Sequence, residues 1–194
     1  MPNDPHSEPQ SAASGAQAWY RRLMPPEDEL PYTMPIPSLT ARGSDAALAI
    51  TGIKVFTNGL TLDVAVRLRR LVDLGNVPRL LEGLGNRQQP PSSKRDQNFW
   101  MRVEYADGRT ATNIAAPSLP RTSLAADEPT LTPNGGRGGQ LSADKVFWLT
   151  PLPPDGRVTF VCAWLELGVP ETRFALDDAE LSTAGARANQ LWAN

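Results

Sequence analysis

The sequence predicts an all-β fold, an antiparallel β-sandwich of about five to seven strands with one C-terminal amphipathic helix. Three observations carry that expectation. Apolar and polar residues alternate through "IKVFTNGLTLDVAV" and "FWMRVEY", and turn dipeptides separate such runs. Only the last segment changes its period from two to about 3.6. No strand–helix–strand rhythm, the mark of a parallel sheet, occurs anywhere.

Residues 1–40 are rich in Pro, Ser, Gln and Ala and lack either period. They read as a disordered, Pro-rich N-terminal arm ahead of a single domain over 41–194. Within the arm Trp19, Tyr20, Leu23, Met24, Tyr32, Met34 and Ile36 alternate with prolines that forbid a helix or a central strand. Such a segment either lays its side chains on its own domain or docks on another chain.

Next comes "LAITGIKVFTNGLTLDVAVRLR". Asn58-Gly59 is the favoured dipeptide of a two-residue type I′ turn. That turn sets Val55 against Leu62, Ile53 against Val64 and Lys54 against Asp63. The apolar phase slips before Gly52, so a bulge is expected at Thr51–Gly52, with Ile50 then beside Val66 and Leu48 beside Leu68. Residues 72–94 read as an exposed connection with one helical turn around Arg79–Leu84. A second hairpin, "NFWMRVEYADGRTATN", turns at Asp107-Gly108; Phe99, Met101, Val103 and Tyr105 share one face, Trp100, Arg102 and Glu104 the other.

Residues 114–144 read as a long irregular passage ending in a mobile loop, "PNGGRGGQ". Strands resume over Lys145–Thr150 and Arg157–Leu167, either side of a proline corner, with a shorter one over Glu171–Leu176. Phe147 or Trp148, Phe160 and Trp164 are expected in the core. The strand over 158–165 is apolar on both faces and so is expected to be central and covered twice, with the terminal helix as second cover. That helix is expected over 177–192, capped by Asp177 or Asp178 with Glu180 nearby. Leu181, Ala184, Ala188 and Leu191 form its stripe, and Trp192 lies beside its end.

The chain has 194 residues, 40% of them hydrophobic, and a formal net charge of -2. No global field therefore draws nucleic acid or an acidic membrane, and no apolar run approaches the roughly 20 residues that span a bilayer. The opening residues are not expected to be a secretory signal or a myristoylation site. One cysteine, Cys162, permits no internal disulfide and fits the cytoplasm. It shares its phase with Val158, Phe160 and Trp164 and reads as a small buried hydrophobe. The single histidine, His6, lies in the arm. A Cys/His zinc site, a Ser-His-Asp triad and a Cys-His dyad therefore lack their parts. No metal site or cofactor is expected.

What survives is carboxylate, lysine or tyrosine chemistry. Glu104, Asp107, Glu166 and Glu171 are ordered carboxylate candidates, but no spacing pairs them as a glycosidase needs. Gly135-Gly136-Arg137-Gly138-Gly139 lacks the Lys-Ser/Thr of a phosphate-binding loop, so its candidate is Arg137 at an exposed tip. Arg67, Arg69 and Arg70, and likewise Arg87, Lys94 and Arg95, read as solvated faces. Trp100 shares a polar sheet face with Arg102 and Glu104, where it can stack on a sugar or be covered by protein.

The string "WLTPLPPDGRVTFVCAWLELGVPETRFALD", followed by "ARANQLW", resembles a group of uncharacterised actinobacterial β-sandwich proteins. In that group a Trp, a Pro-Leu-Pro-Pro corner, a second Trp, a Gly-x-x-Glu turn and a terminal Leu-Trp recur. "VEYADGRTATN" and the glycine-rich segment fit it too, so the resemblance runs over about residues 46–192 and omits the arm. It implies a fold and a source, with no activity attached.

The leading expectation is a non-enzymatic interaction or structural module. It would bind a protein partner, or itself, through the arm, loops or a sheet face, with Trp19, Tyr20, Leu23, Met24, Trp100, Arg102 and Arg137 as contacts. The alternatives are a carbohydrate-binding module that uses Trp100 and a carboxylate-dependent hydrolase.

Overall fold

Alternating side chains give each strand one apolar face, and here two such faces meet. A computed structural model describes residues 22–36, 39–71, 99–114, 127–154, 157–176 and 178–192. Among these the chain forms β1 (Glu29–Leu30), β2 (Tyr32–Met34), β3 (Leu39–Arg42), β4 (Ala46–Val55), β5 (Leu60–Leu68) and β6 (Trp100–Glu104). There follow β7 (Thr110–Thr112), β8 (Thr130–Gly139), β9 (Ser142–Thr150), β10 (Val158–Trp164), a 3₁₀ turn (Leu165–Leu167), β11 (Val169–Leu176), α1 (Asp178–Gly185) and β12 (Asn189–Gln190). The fold is an antiparallel β-sandwich. One sheet has the order β11-β10-β6-β7; the six-stranded sheet has the order β2-β4-β5-β9-β8, with β3 also on β4, and β1 pairs β12 in a separate ribbon.

The core lies between the two larger sheets. Leu48, Ile50 and Ile53 of β4 and Leu62 and Val64 of β5 are buried with Met101 and Val103 of β6 and Phe160 and Trp164 of β10. Phe99 bridges the layers, with ring centroids 5.9 Å from Phe147 and 6.0 Å from Trp164. Each such side chain contributes about 1.5–3 kcal/mol when fully buried. Phe160 and Trp164 are buried in this core as expected; of the alternatives Phe147 and Trp148 it is Phe147 that joins them, and Trp148 is buried outside this cluster. Tyr105 closes this end by donating its hydroxyl to the Pro151 carbonyl at 2.8 Å.

The second hairpin turns where the sequence places it. Arg102 pairs with Thr112 and Glu104 with Thr110, and Gly108 takes φ +86°. Asn113 then extends the ladder, its side-chain oxygen accepting the Met101 amide at 2.7 Å. The first hairpin has its bulge between Ile50 and Gly52, but its register differs by two residues. Val55 faces Leu60, Ile53 faces Leu62, Ile50 faces Val64 and Leu48 faces Val66. The turn therefore centres on Thr57-Asn58, and tertiary partners hold it there. Glu29 accepts from the Thr57 amide and hydroxyl, and the Asn58 carbonyl accepts from the Leu152 amide and the Thr150 hydroxyl.

Further expectations change. Twelve strands occur among the described residues, more than the five to seven expected, because short edge strands leave little periodic signal. The glycine-rich segment is no loop. Gly136, Arg137, Gly138 and Gly139 pair with Lys145, Asp144, Ala143 and Ser142, after a bulge where Gly135 takes φ +86°.

The arm's described part is folded too. Arg22 is helical, against the expectation, and Pro31 and Pro35 flank β2, an edge strand on β4 that tolerates them. Lastly, α1 stops at Gly185. The chain unwinds through three-residue hydrogen bonds at Arg187 and Ala188, because Asn189 and Gln190 pair with β1. Leu181 and Ala184 are buried as the stripe predicts, whereas Leu191 and Trp192 are exposed.

Val161 and Ala163, on the outer face of β10, are buried, as the twice-covered strand requires, but the strand ends at Trp164 and Leu165, in the 3₁₀ turn, is exposed. The helix is not their cover, since α1 packs against β2 and β4 in the other sheet. Trp19, Tyr20, the turn at Arg79–Leu84, the corner residues Asp155 and Gly156, and the side chains of Asp177, Asp178 and Glu180 lie outside the described residues. No helix among the described residues is long and apolar enough to cross a membrane.

Candidate functional site

Three surfaces bring chemistry-bearing side chains together. The first is the outer face of the four-stranded sheet, where β6 alternation turns Trp100, Arg102 and Glu104 outward. Glu104 pairs with Arg102 at 2.7 Å and reaches across β10 to Arg173 of β11 at 3.1 Å. Arg173 also meets Glu171 at 3.5 Å. Trp100 is half-buried, and the Arg102 guanidinium lies 5.9 Å from its ring centroid. Two carboxylates thus share one arginine on this sheet face, and the indole already has a cation on its ring.

The second surface is a groove of about 590 Å³ on the outer face of the six-stranded sheet. Ala65 and Val146 lie along it, Asp63 pairs with Lys54 at 3.5 Å, and Asp144 pairs with Arg67 at 2.7 Å and Arg137 at 2.9 Å. Arg137 is therefore exposed but bound, on a strand and not at a loop tip. Burial alone would raise the Asp144 pKa; hydrogen bonds and charge from Arg67 and Arg137 outweigh it and hold the carboxyl below its usual range. Asp144 stays anionic, which suits an ion pair and not a proton donor.

The third surface is built by the two ends of the described chain. Residues 22–30 lie as a strap over the base of the six-stranded sheet. The Trp148 indole donates to the Arg22 carbonyl at 2.9 Å, Thr132 donates to the Leu23 carbonyl at 3.4 Å, and the Arg22 guanidinium meets the Glu128 carbonyl. Trp148 is held from beneath by Phe56, edge to face at 5.4 Å, and Gly59 lies against its ring. Pairing of β1 with β12, extended by the Leu191 amide to the Asp28 carbonyl at 2.8 Å, brings the C-terminal segment beside the strap. Between them lies a hollow of about 910 Å³, lined by Met24, Pro25, Pro26, Glu27, Asp28 and Trp192 among others. Trp192 is 73% exposed and Met24 51%. Leu30 and Leu191 are exposed on the same ribbon.

Of the residues singled out from sequence, Leu23 and Met24 belong to this third surface, Trp100 and Arg102 to the first, and Arg137 to the second. They do not converge. Sequence reasoning missed Glu27, Asp28 and the exposure of Trp192, because the hollow exists only once segments from opposite ends of the chain pair. The proline-bounded string "PPEDELP", acidic and unable to form a helix, is the signal that marked half of it.

The remaining chemistries fare as follows. Burial pushes the Tyr105 phenol up, and its hydroxyl is committed to Pro151. Lys145 lies on the inward phase of β9, opposite Val64, where burial lowers its amine. Burial lifts the Cys162 thiol to about 12. Asp45 and Asp107 are both held low, Asp45 by hydrogen bonds from Ser44 and Arg70 and Asp107 by the backbone amide of Arg109 and then its side chain. Among the described residues no group of three or more His, Cys, Asp or Glu side chains could hold a metal ion. Comparison with known protein families, with characterised proteins and with solved structures finds no match.

Proposed function

We propose that this protein is a non-enzymatic interaction module that docks a protein partner on the surface its strap and C-terminal end build together. The observation that carries the reading is Trp192, an indole 73% exposed at the edge of a hollow it shares with Met24 and two prolines. A bare tryptophan in a concavity is the residue type and setting of an interface anchor. The backbone beneath it is fixed by β1–β12 pairing, so little order is lost on docking. The free buried thiol of Cys162 fits a reducing, cytoplasmic setting.

The other two readings have weaker support. A sugar needs an open aromatic face, and Trp100 already carries Arg102. A glycosidase needs a carboxyl that keeps its proton and faces a second acid across a cleft, whereas hydrogen bonds from Arg109 hold Asp107 low and Glu104 and Glu171 are joined through Arg173.

The test is affinity capture from lysate of the native host with three forms of the protein: wild type, Trp192→Ala and Trp100→Ala. The proposal expects a partner held by wild type and by Trp100→Ala and lost with Trp192→Ala. Loss with Trp100→Ala alone would move the interface to the four-stranded sheet and overturn it.

A further inference from the structure

Resting on that docking surface, we infer that the hollow beside Trp192 receives a cationic protein segment carrying an apolar anchor. Among the described residues, the lining supplies Glu27, Asp28 and Glu29 and no lysine, arginine or histidine. The chain as a whole is nearly balanced at -2, so this concentration of negative charge is local. Glu29 is committed, since its carboxylate holds the Thr57 amide and hydroxyl. Glu27 and Asp28 are exposed and form no ion pair among the described residues.

The apolar half is equally local. Trp192 and Met24 present a ring and a pliable thioether beside Pro25 and Pro26. An aliphatic or aromatic side chain can bury there, while a neighbouring arginine or lysine meets Glu27 and Asp28. A guanidinium can also lie on the Trp192 face, a favourable cation–π contact. About 910 Å³ accommodates a few side chains of a segment. The same charges repel nucleic acid and anionic lipid, which leaves a basic polypeptide as the occupant.

The probe is a short fluorescein-labelled peptide in which arginine alternates with leucine, titrated by anisotropy against the full chain. A counterpart with glutamate in place of arginine serves as control. The inference expects binding of the arginine peptide alone, weakened by salt. Glu27→Lys with Asp28→Lys should weaken it by about tenfold or more, and Trp192→Ala by a similar factor. Glu166→Lys with Glu171→Lys makes the same change in net charge elsewhere and should leave binding within about twofold, since screened charges act locally. Equal loss from both double reversals would show general attraction and overturn the inference. So would equal binding of the two peptides. If the arginine peptide fails to bind while Trp192→Ala still releases the captured partner, the cationic chemistry is wrong and the docking surface stands. If Trp192→Ala releases nothing and alters neither titration, the docking surface itself fails.

Discussion

Gly59 and Gly108 both follow turn-forming residues, yet they are glycines for different reasons. A Cβ at Gly59 would lie 2.5 Å from the Leu149 carbonyl oxygen and 2.6 Å from the Trp148 ring, neither of which is a flexible side-chain end. Gly59→Ala should therefore cost about 2 kcal/mol or more through overpacking. Gly108 has φ +86° and open space around it, so Gly108→Ala should cost about 1 kcal/mol from backbone strain alone. Urea unfolding of the two variants separates these figures. The Asn58-Gly59 dipeptide advertises a turn, and a turn is present, but no dipeptide reports an indole arriving from another strand; hence the wrong register. Cys162 shows the converse, a residue whose burial followed from phase alone. With its thiol lifted to about 12, the folded state keeps a proton that the unfolded chain releases above about pH 8.5. The native state then binds more protons, so stability falls as pH rises through that range. Between about pH 8 and about pH 10 the loss from this group is about 2 kcal/mol. The buried Tyr105 phenol shifts in the same direction. Unfolding midpoints should therefore fall further in wild type than in Cys162→Ala across that interval, and the folded thiol should resist alkylation.

Among the elements, the strap departs most from the sequence reading. Its prolines confine the helical backbone to Arg22, ahead of Pro25 and Pro26, but disorder does not follow from them. An edge strand as short as β2, with Tyr32, Thr33 and Met34 on Val55, Lys54 and Ile53, needs three suitable residues and no period. What fixes the strap is polar and distant in sequence. Glu29, buried at the strap's β1, supplies both acceptors for Thr57. Glu29→Ala leaves the Thr57 amide and hydroxyl without that partner and should cost about 2 kcal/mol, with Glu29→Gln costing less, as measured by urea unfolding. A chain lacking residues 22–31 should in addition lose the cover over Trp148, raising the fraction of tryptophan fluorescence open to acrylamide. The terminal helix teaches the same point. Its stripe was legible at Leu181 and Ala184, where packing against β2 and β4 agrees with the period. Beyond Gly185 the pattern continues on paper to Leu191, but pairing of Asn189 and Gln190 with β1 wins, and the large apolar side chains that follow turn to solvent.

For the whole molecule, the sandwich was legible because it rests on alternation, which a sequence displays directly. Which strands become neighbours was not, because β5 beside β9 and β1 beside β12 join residues far apart in the chain. Surface charge is likewise organised across strands, as in the Arg67–Asp144–Arg137 cluster. Both arginines there are well exposed, so Asp144→Asn should change stability by less than about 1 kcal/mol, a near-silent result in urea unfolding. The strap hollow differs in kind, since among the described residues Trp192 is the only exposed aromatic ring. The docking claim therefore meets its most direct test in amide hydrogen exchange of the captured complex against the free protein. The account predicts new protection over residues 24–30 and 189–192, with the Trp100 strand and the groove around Asp63 and Asp144 unchanged. Protection confined to residues 100–104, or to 63–67 with 144–146, would contradict it.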